Sequence, residues 1–383
     1  MENGIKHHIL INLDAKGDKL IYENSDIEFP NSKGLADAIK IKQNTIEIDC
    51  YRKIAYDLED LITNDNNSII DLIKKTLIYM GLKLKTVPKI SKINLERYDS
   101  VGKIEKKYSI PKKEINTFLT TDKKIKLDCP EHIEKIFRIK SKTNKINYKP
   151  YYIASSRYLF SKLQDNEHYL EFIQLWSAYN SLYNIFAPGD AAGMKRMKEY
   201  IYNNADKFKA SIIFCKEIRK NITLFPWKPF FIRNYKRNAQ QKKNYKGYDT
   251  SSIDKEKLIL ELYKNNFLKY LEKHGKHETP VTTKSSSHFI ELQKYIDSNE
   301  DKVKENDILF LCFFVNQYVY SVRNNYFHGN EEGLQFSIVN YNEHKQLKIL
   351  IELMNLLIVD LLNSYEDLFA VTNLKNNNKQ NAT

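Results

Sequence analysis

Glycine, proline and cysteine are scarce in this sequence, and each shortage argues against a class of protein. The 383 residues include only 11 glycines and 9 prolines, which favours long regular elements over a loop-rich β-sandwich. The four cysteines form no CxxC pair, so neither a disulfide framework nor a cysteine zinc site is expected. A reducing, cytoplasmic location fits this pattern best. Cys312 lies in an apolar run and is predicted to be a small core residue.

The sequence also lacks a long uncharged apolar run. Its most apolar segment, Leu347–Leu362, contains Lys348, Glu352, Asn355 and Asp360 and is therefore predicted to be a buried helix. The N-terminus has no basic region followed by an apolar stretch, so no signal peptide is predicted. We expect no membrane partner.

What the sequence does have is apolar content and positive charge. With 42% hydrophobic and 12% aromatic residues the chain can build a core, and its length predicts two domains. The formal net charge of +13 would attract nucleic acid, an anionic membrane surface or an acidic protein. A well-solvated lysine surface is the alternative explanation.

Residues 1–150 are predicted to form an α+β module. Alternating or β-branched runs predict four strands, at His8–Leu13, Lys19–Tyr22, Asp26–Phe29 and Thr45–Tyr51. A broad apolar stripe predicts a helix over residues 56–81 that Gly81 ends. Residues 82–150 are expected to be irregular and basic. The module is expected to have a recognition or regulatory role, with a regulatory protein or ligand as its partner.

Residues 151–372 are predicted to be mainly α-helical, with a disordered tail at 373–383. Five aromatic side chains at 4-3-4-3 spacing mark one face of a long helix: Phe172, Trp176, Tyr179, Tyr183 and Phe186. Further helical stretches are predicted at Met194–Phe225, Asp254–Lys273, Asp307–His328 and Glu343–Phe369.

A basic, aromatic-interleaved stretch follows the second of these helices. Ten basic residues and one acid lie between Lys216 and Lys246. Lysine and arginine contact phosphates while aromatic rings stack on unpaired bases, so the stretch is a predicted RNA-binding segment. An insertion whose charge is incidental is the alternative. The predicted phosphate contacts, here named the basic set, are Arg233, Lys236, Arg237, Lys242 and Lys243.

The segment VNQYVYSVRNNYFHGNEEG holds the strongest chemical pattern. It places Arg323, Asn324, His328 and Gly329 at the end of an apolar helix. On an ideal helix Arg323 and His328, five residues apart, point about 140° away from each other. Either the helix unwinds before Gly329, which suits a C-terminal cap, or two subunits contribute to one cleft.

At this motif the chain resembles the HEPN superfamily, in which an arginine, a polar residue, a short spacer and a histidine lie near a helix end. SVRNNYFHG resembles the motif, and LWSAYNSLYN resembles the first helix of many HEPN domains. The resemblance covers about 220 residues and implies a helical bundle interrupted by a long basic insertion, roughly residues 190–300. It does not extend to residues 1–150.

The resemblance also implies an activity. Many HEPN proteins are metal-independent endoribonucleases that act as homodimers in phage defence, toxin–antitoxin pairs or RNA processing. The resemblance therefore predicts RNA as substrate, no metal or other cofactor, and a dimeric cleft with Arg323, Asn324 and His328 as its catalytic residues and Asn180 and Tyr326 nearby. A catalytically silent HEPN-like module that binds nucleic acid or a protein is one alternative, and an unrelated basic helical scaffold is another.

The residue types fit this chemistry. When the ribose 2′-OH attacks the adjacent phosphate, a histidine can move the protons and an arginine can hold the phosphate oxygens. Asn324 can orient the histidine or a phosphate oxygen. The structural alternative is that Arg323 caps its helix or pairs with Glu331, and that a hydrogen bond between helices explains Asn180.

Overall fold

The computed structural model of the protein describes twelve stretches of the chain. They are residues 4–29, 35–63, 67–111, 124–139, 146–164, 167–186, 190–220, 308, 311–312, 314–320, 322–323 and 341–370. The chain divides into two units, the first formed by residues 1–185 with 361–383 and the second by residues 186–360.

A six-stranded antiparallel sheet dominates the first unit. The strands have the order β2-β3-β4-β1-β5-β6, and all neighbouring pairs are antiparallel. They are β1 Ile5–Leu13, β2 Leu20–Ile27, β3 Asp37–Lys42, β4 Thr45–Arg52, β5 Ile90–Tyr98 and β6 Ile104–Pro111. With the helices that follow, the sheet confirms an α+β fold.

Alternation along the strands gives the sheet two different faces. On the inner face Ile9, Ile11, Ile48 and Leu95 are fully buried. The residues between them are partly exposed, as expected for an antiparallel sheet with one solvated face. On the inner side, the rings of Tyr22, Tyr79 and Phe137 pack together and join the sheet to two helical elements.

The strand predictions were partly right. Strands β1 and β4 lie where the alternation placed them, and β2 joins two segments that were predicted separately. Strand β3 was not predicted. The expectation that residues 82–150 are irregular was wrong, because β5 and β6 lie within them. Lysines and other polar residues occupy the exposed positions of these strands, so the segment resembles a basic loop in composition.

The helix that follows the first four strands does not end at Gly81, as had been predicted. After the short α1, Asp60–Thr63, helix α2 spans Ser68–Leu84, and its N-cap Asn67 accepts a hydrogen bond from the Ile70 amide. Gly81 does not end it; Lys85, with φ 59°, is its C-cap. A Cβ at Gly81 would lie 2.6 Å from Cδ2 of Leu159. Glycine here allows close packing against the next helix.

Helix α4 carries the predicted aromatic face. Helix α3 spans Lys149–Lys162 and α4 spans His168–Tyr183. Trp176 is 2% exposed and Phe172, Tyr179 and Tyr183 are fully buried, which confirms four members of the stripe, while Phe186 lies beyond the end of α4. Both helices belong to the first unit, although they were predicted to lie in the second domain. The domain boundary at residue 150 stays a prediction.

Residues near the end of the chain complete the first unit. The Tyr365 hydroxyl donates to the Asn147 carbonyl at 2.5 Å. The Glu366 carboxylate accepts a hydrogen bond from the Tyr148 hydroxyl at 2.8 Å. Lys135 and Arg138 contact the same carboxylate at 3.3 and 3.2 Å. We call these contacts of residues 365 and 366 the C-terminal clasp.

The described part of the second unit is helical. Its elements are α5 Asp190–Asn203, α6 Lys209–Lys220, a π-helical segment Phe314–Val319, and most of α7, Tyr341–Asn363. The last three residues of α7, from Leu361 onward, belong to the first unit. The Asp360 carboxylate accepts hydrogen bonds from the amide and hydroxyl of Ser211, at the start of α6. Cys312 is fully buried, as predicted. Within the described stretches no helix is long and apolar enough to cross a membrane.

Candidate functional site

Arg323 is the one predicted catalytic residue that the described stretches include. It lies in a helical stretch and is partly buried. Upstream, Leu311, Phe314 and Val319 are fully buried. The described residues just before Arg323 in the sequence therefore lie in a buried, apolar setting.

The π-helical segment Phe314–Val319 lies just before Arg323 in the sequence. In a π turn the hydrogen bonds run from residue i to i+5, so the turn holds one residue more than an α turn. The extra residue rotates everything downstream by about 100° relative to an uninterrupted helix. Such turns often lie at functional sites. This π-helical segment ends four residues before Arg323, and no pattern in the sequence predicted it.

Most of the other predicted site residues lie outside the described residues. These are Asn324, Tyr326, His328 and the whole basic set, together with Glu331 and the helix predicted at Asp254–Lys273. Their roles stay predictions.

Asn180 lies on α4, in the first unit, and is partly buried. Its Oδ1 accepts a hydrogen bond from Nδ2 of Asn184, one turn further along the same helix, at 2.6 Å. This bond lies within α4 and so differs from the interhelical bond considered as an alternative. The predicted place of Asn180 in a cleft stays a prediction.

The structure adds a cluster that sequence reasoning missed, on the exposed face of the sheet. We call it the outer-face cluster: Lys6, His8, Asp49, Asn94, Glu96, Tyr98, Lys107 and Ser109. The strand register brings its members together, because His8 is paired with Asp49 on one side and Glu96 on the other, and Glu96 is paired with Lys107. Polar residues at alternate strand positions were its only signal in the sequence.

Each carboxylate of the outer-face cluster has two partners. Asp49 accepts from His8 Nδ1 at 2.7 Å and contacts Lys6 Nζ at 3.0 Å. Glu96 contacts Lys107 Nζ at 2.8 Å and accepts from the Tyr98 hydroxyl at 2.8 Å. Both acidic groups are therefore neutralised within the cluster.

These contacts shift the pKa values of the cluster. The hydrogen bond to Asp49 raises the pKa of His8 above its ordinary value, although partial burial acts in the opposite direction. Partial burial raises the pKa of Asp49, but the hydrogen bonds from His8 and Lys6 outweigh it and the net shift is downward. The hydrogen bonds from Lys107 and Tyr98 lower the pKa of Glu96. His8 thus keeps its proton to a higher pH than an ordinary histidine does.

A concavity of about 340 Å³ opens beside this network. Its lining includes His8, Leu10, Asn94, Lys107 and Ser109, from strands β1, β5 and β6. Among the described residues no group of three histidine, cysteine, aspartate or glutamate side chains could hold a metal ion.

No protein-family model, curated protein or solved structure matches this chain.

Proposed function

We propose that the protein is a metal-independent endoribonuclease of the HEPN type. The observation that carries the proposal is the motif SVRNNYFHG, with Arg323 followed by a polar residue and, five positions on, by His328. The helical setting of Arg323, shortly after the buried Phe314 and Val319, supports it. So does the aromatic stripe of α4, the helix that resembles the first HEPN helix.

The proposed reaction needs three groups. The ribose 2′-OH attacks the adjacent phosphorus, its proton goes to a base, and the 5′-oxygen leaves with a proton from an acid. His328 exchanges protons near neutral pH, and Arg323 holds two oxygens of the phosphorane with its planar guanidinium. Asn324 orients the histidine or the phosphate. The products are a 2′,3′-cyclic phosphate and a free 5′-hydroxyl.

The proposed active form is a homodimer. On one ideal helix Arg323 and His328 would point about 140° apart, so a single helix does not direct both at one phosphate. A two-fold axis that brings two motifs to one cleft solves this problem. A cleaving protein that stays strictly monomeric at micromolar concentration would contradict this part of the proposal.

We place the activity in a stress or anti-phage response, with residues 1–150 as the module that controls it. The overall charge of +13 supports an RNA substrate. The basic set would guide RNA to the cleft without contacting the scissile phosphate.

Cleavage of total RNA by purified protein in EDTA tests the proposal. His328→Ala and Arg323→Ala should each lower the cleavage rate about 10²-fold or more. Arg323→Lys should also fail, because a point charge does not replace the bidentate fork. The controls are His132→Ala and Arg157→Ala, whose side chains are on the surface of the first unit.

Full activity in both motif variants would remove the catalytic assignment. RNA binding without cleavage by the wild type would favour the catalytically silent module instead. A cleavage that stops in EDTA would overturn the metal-free route.

A further inference from the structure

The concavity on the outer face of the sheet has a regular architecture. Two neighbouring rows of side chains cross three strands, one row through His8, Glu96 and Lys107 and the other through Leu10, Asn94 and Ser109. Strands lie about 4.8 Å apart and successive rows about 7 Å apart, so the six side chains cover one small patch. Leu10 provides an apolar surface within it.

Hydrogen-bond donors outnumber acceptors in this patch. Glu96 is satisfied by Lys107 and Tyr98, and Asn94 Oδ1 already accepts from the Ser109 hydroxyl at 3.0 Å. On the donor side, Lys107 has further ammonium protons and its side chain is 63% exposed. Asn94 retains its amide protons. His8 uses Nδ1 for Asp49, which leaves Nε2 as a donor when the ring is protonated.

We propose that this concavity binds a small molecule that carries a phosphate group and is about the size of a mononucleotide. His8, Asn94 and Lys107 bind the phosphate from three strands, while Leu10 contacts the body of the ligand. This site is distinct from the proposed ribonuclease motif and does not depend on it. It gives the first unit a ligand.

The chemistry favours phosphate over carboxylate. Donors from three side chains, His8, Asn94 and Lys107, can each reach a different oxygen of a phosphate group, whereas a carboxylate has only two oxygens. Lysine and histidine act as single donors from different directions, which suits a tetrahedral group. A volume of about 340 Å³ is at the lower end of small-molecule sites and leaves room for more than a bare phosphate.

Calorimetry with the full chain and four probes tests the proposal: uridine 5′-monophosphate, uridine, inorganic phosphate and acetate. The nucleotide should bind more tightly than each of the other three. Lys107→Gln should weaken nucleotide binding about fivefold or more, because it removes a charged donor. Lys92→Gln removes an exposed lysine of the same sheet outside the lining and is the matched control.

A second variant separates this site from the ribonuclease motif. Arg323→Ala should leave nucleotide affinity unchanged if the ligand occupies the first unit. If Arg323→Ala abolishes binding and Lys107→Gln does not, the nucleotide occupies the ribonuclease site and the present proposal is wrong. Unfolding curves of all variants check that each one is folded.

The dependence on pH provides a second readout. A phosphate monoester is already a dianion above its second pKa of about 6. Above pH 7 a loss of affinity then reports the deprotonation of His8, which faces the charged side chains of Lys6, Asp49, Glu96 and Lys107. His8→Gln should remove this dependence. Equal weakening by Lys107→Gln and Lys92→Gln, equal affinity for phosphate and nucleotide, or no binding at millimolar nucleotide would each overturn the proposal.

Discussion

Asp37 and Arg52 form a buried ion pair whose removal has a calculable cost. The Arg52 guanidinium donates two hydrogen bonds to the Asp37 carboxylate, from Nη1 to Oδ1 at 2.5 Å and from Nη2 to Oδ2 at 2.8 Å. Its Nη2 also donates to the Ser68 hydroxyl. The side chains are 1% and 5% exposed. The ring of Phe29 lies 3.7 Å from the guanidinium carbon. Water therefore has little access to this pair.

Asp37→Asn keeps the shape of the side chain and removes its charge. The buried Arg52 cation then has no counter-charge, and breaking such a pair costs about 3–5 kcal/mol. The matched control is Glu96→Gln, which removes the partner of the exposed Lys107 and should cost about 1 kcal/mol or less. Replacing both partners by apolar residues, Asp37→Leu with Arg52→Met, should recover most of the loss, because no charge stays buried.

Urea unfolding, monitored by hydrogen exchange of peptides from β3 and β4, measures the free energy of unfolding of the first unit alone. For a unit of this size each kcal/mol corresponds to about 2–4 °C in Tm, so Asp37→Asn should melt about 6–20 °C lower. A loss below about 1 kcal/mol for Asp37→Asn, or a double variant less stable than the single one, would refute the reasoning.

Three further predictions concern other parts of the chain. Gly81→Ala should lower the free energy of unfolding by about 1–3 kcal/mol in urea titrations, because the new methyl group would overlap with the Leu159 side chain. A gain in stability would contradict the close packing of α2 and α3. The folded-state pKa of His8 is raised above its unfolded value, so its stabilising contribution is present below about pH 6.5 and is lost as the pH rises through the folded pKa. His8→Gln should therefore flatten the dependence of the free energy of unfolding on pH in that window. An unchanged dependence would show that another group titrates there. Substituting the whole basic set by glutamine should weaken RNA binding and flatten its salt dependence in titrations from low to physiological salt; an unchanged slope would mean that these charges are only a solvated surface.

Patterns within single elements could be predicted from the sequence. Isoleucine alternation located β1 and β4, and aromatic spacing identified the buried face of α4. These signals depend only on neighbours along the chain. Strands β5 and β6 were missed because their exposed face carries lysines, which local composition cannot distinguish from a basic loop. Gly81 was misread for a related reason, since its role depends on Leu159, 78 positions away in the sequence.

The two candidate sites also differ in how far apart their residues lie in the sequence. Arg323 could be found because its motif is contiguous, but the π-helical segment before it has no sequence signal. The outer-face cluster combines His8, Asp49, Glu96 and Lys107, which are far apart in the sequence. Only the pairing of β1 with β4 and β5, and of β5 with β6, brings them together. A search for contiguous motifs does not detect such a site.

The C-terminal clasp has a consequence for how the chain is made. The first unit is discontinuous, because residues from 361 onward belong to it together with residues 1–185. A ribosome therefore releases most of this unit long before it has synthesised Tyr365 and Glu366. Until then the Tyr148 hydroxyl lacks the Glu366 carboxylate that accepts its hydrogen bond, and the Tyr148 ring lacks its contact with Tyr365. Part of the core of the nascent unit therefore stays exposed during this time. Synthesis of the entire second unit must intervene, which sets a minimum time before the first unit can close.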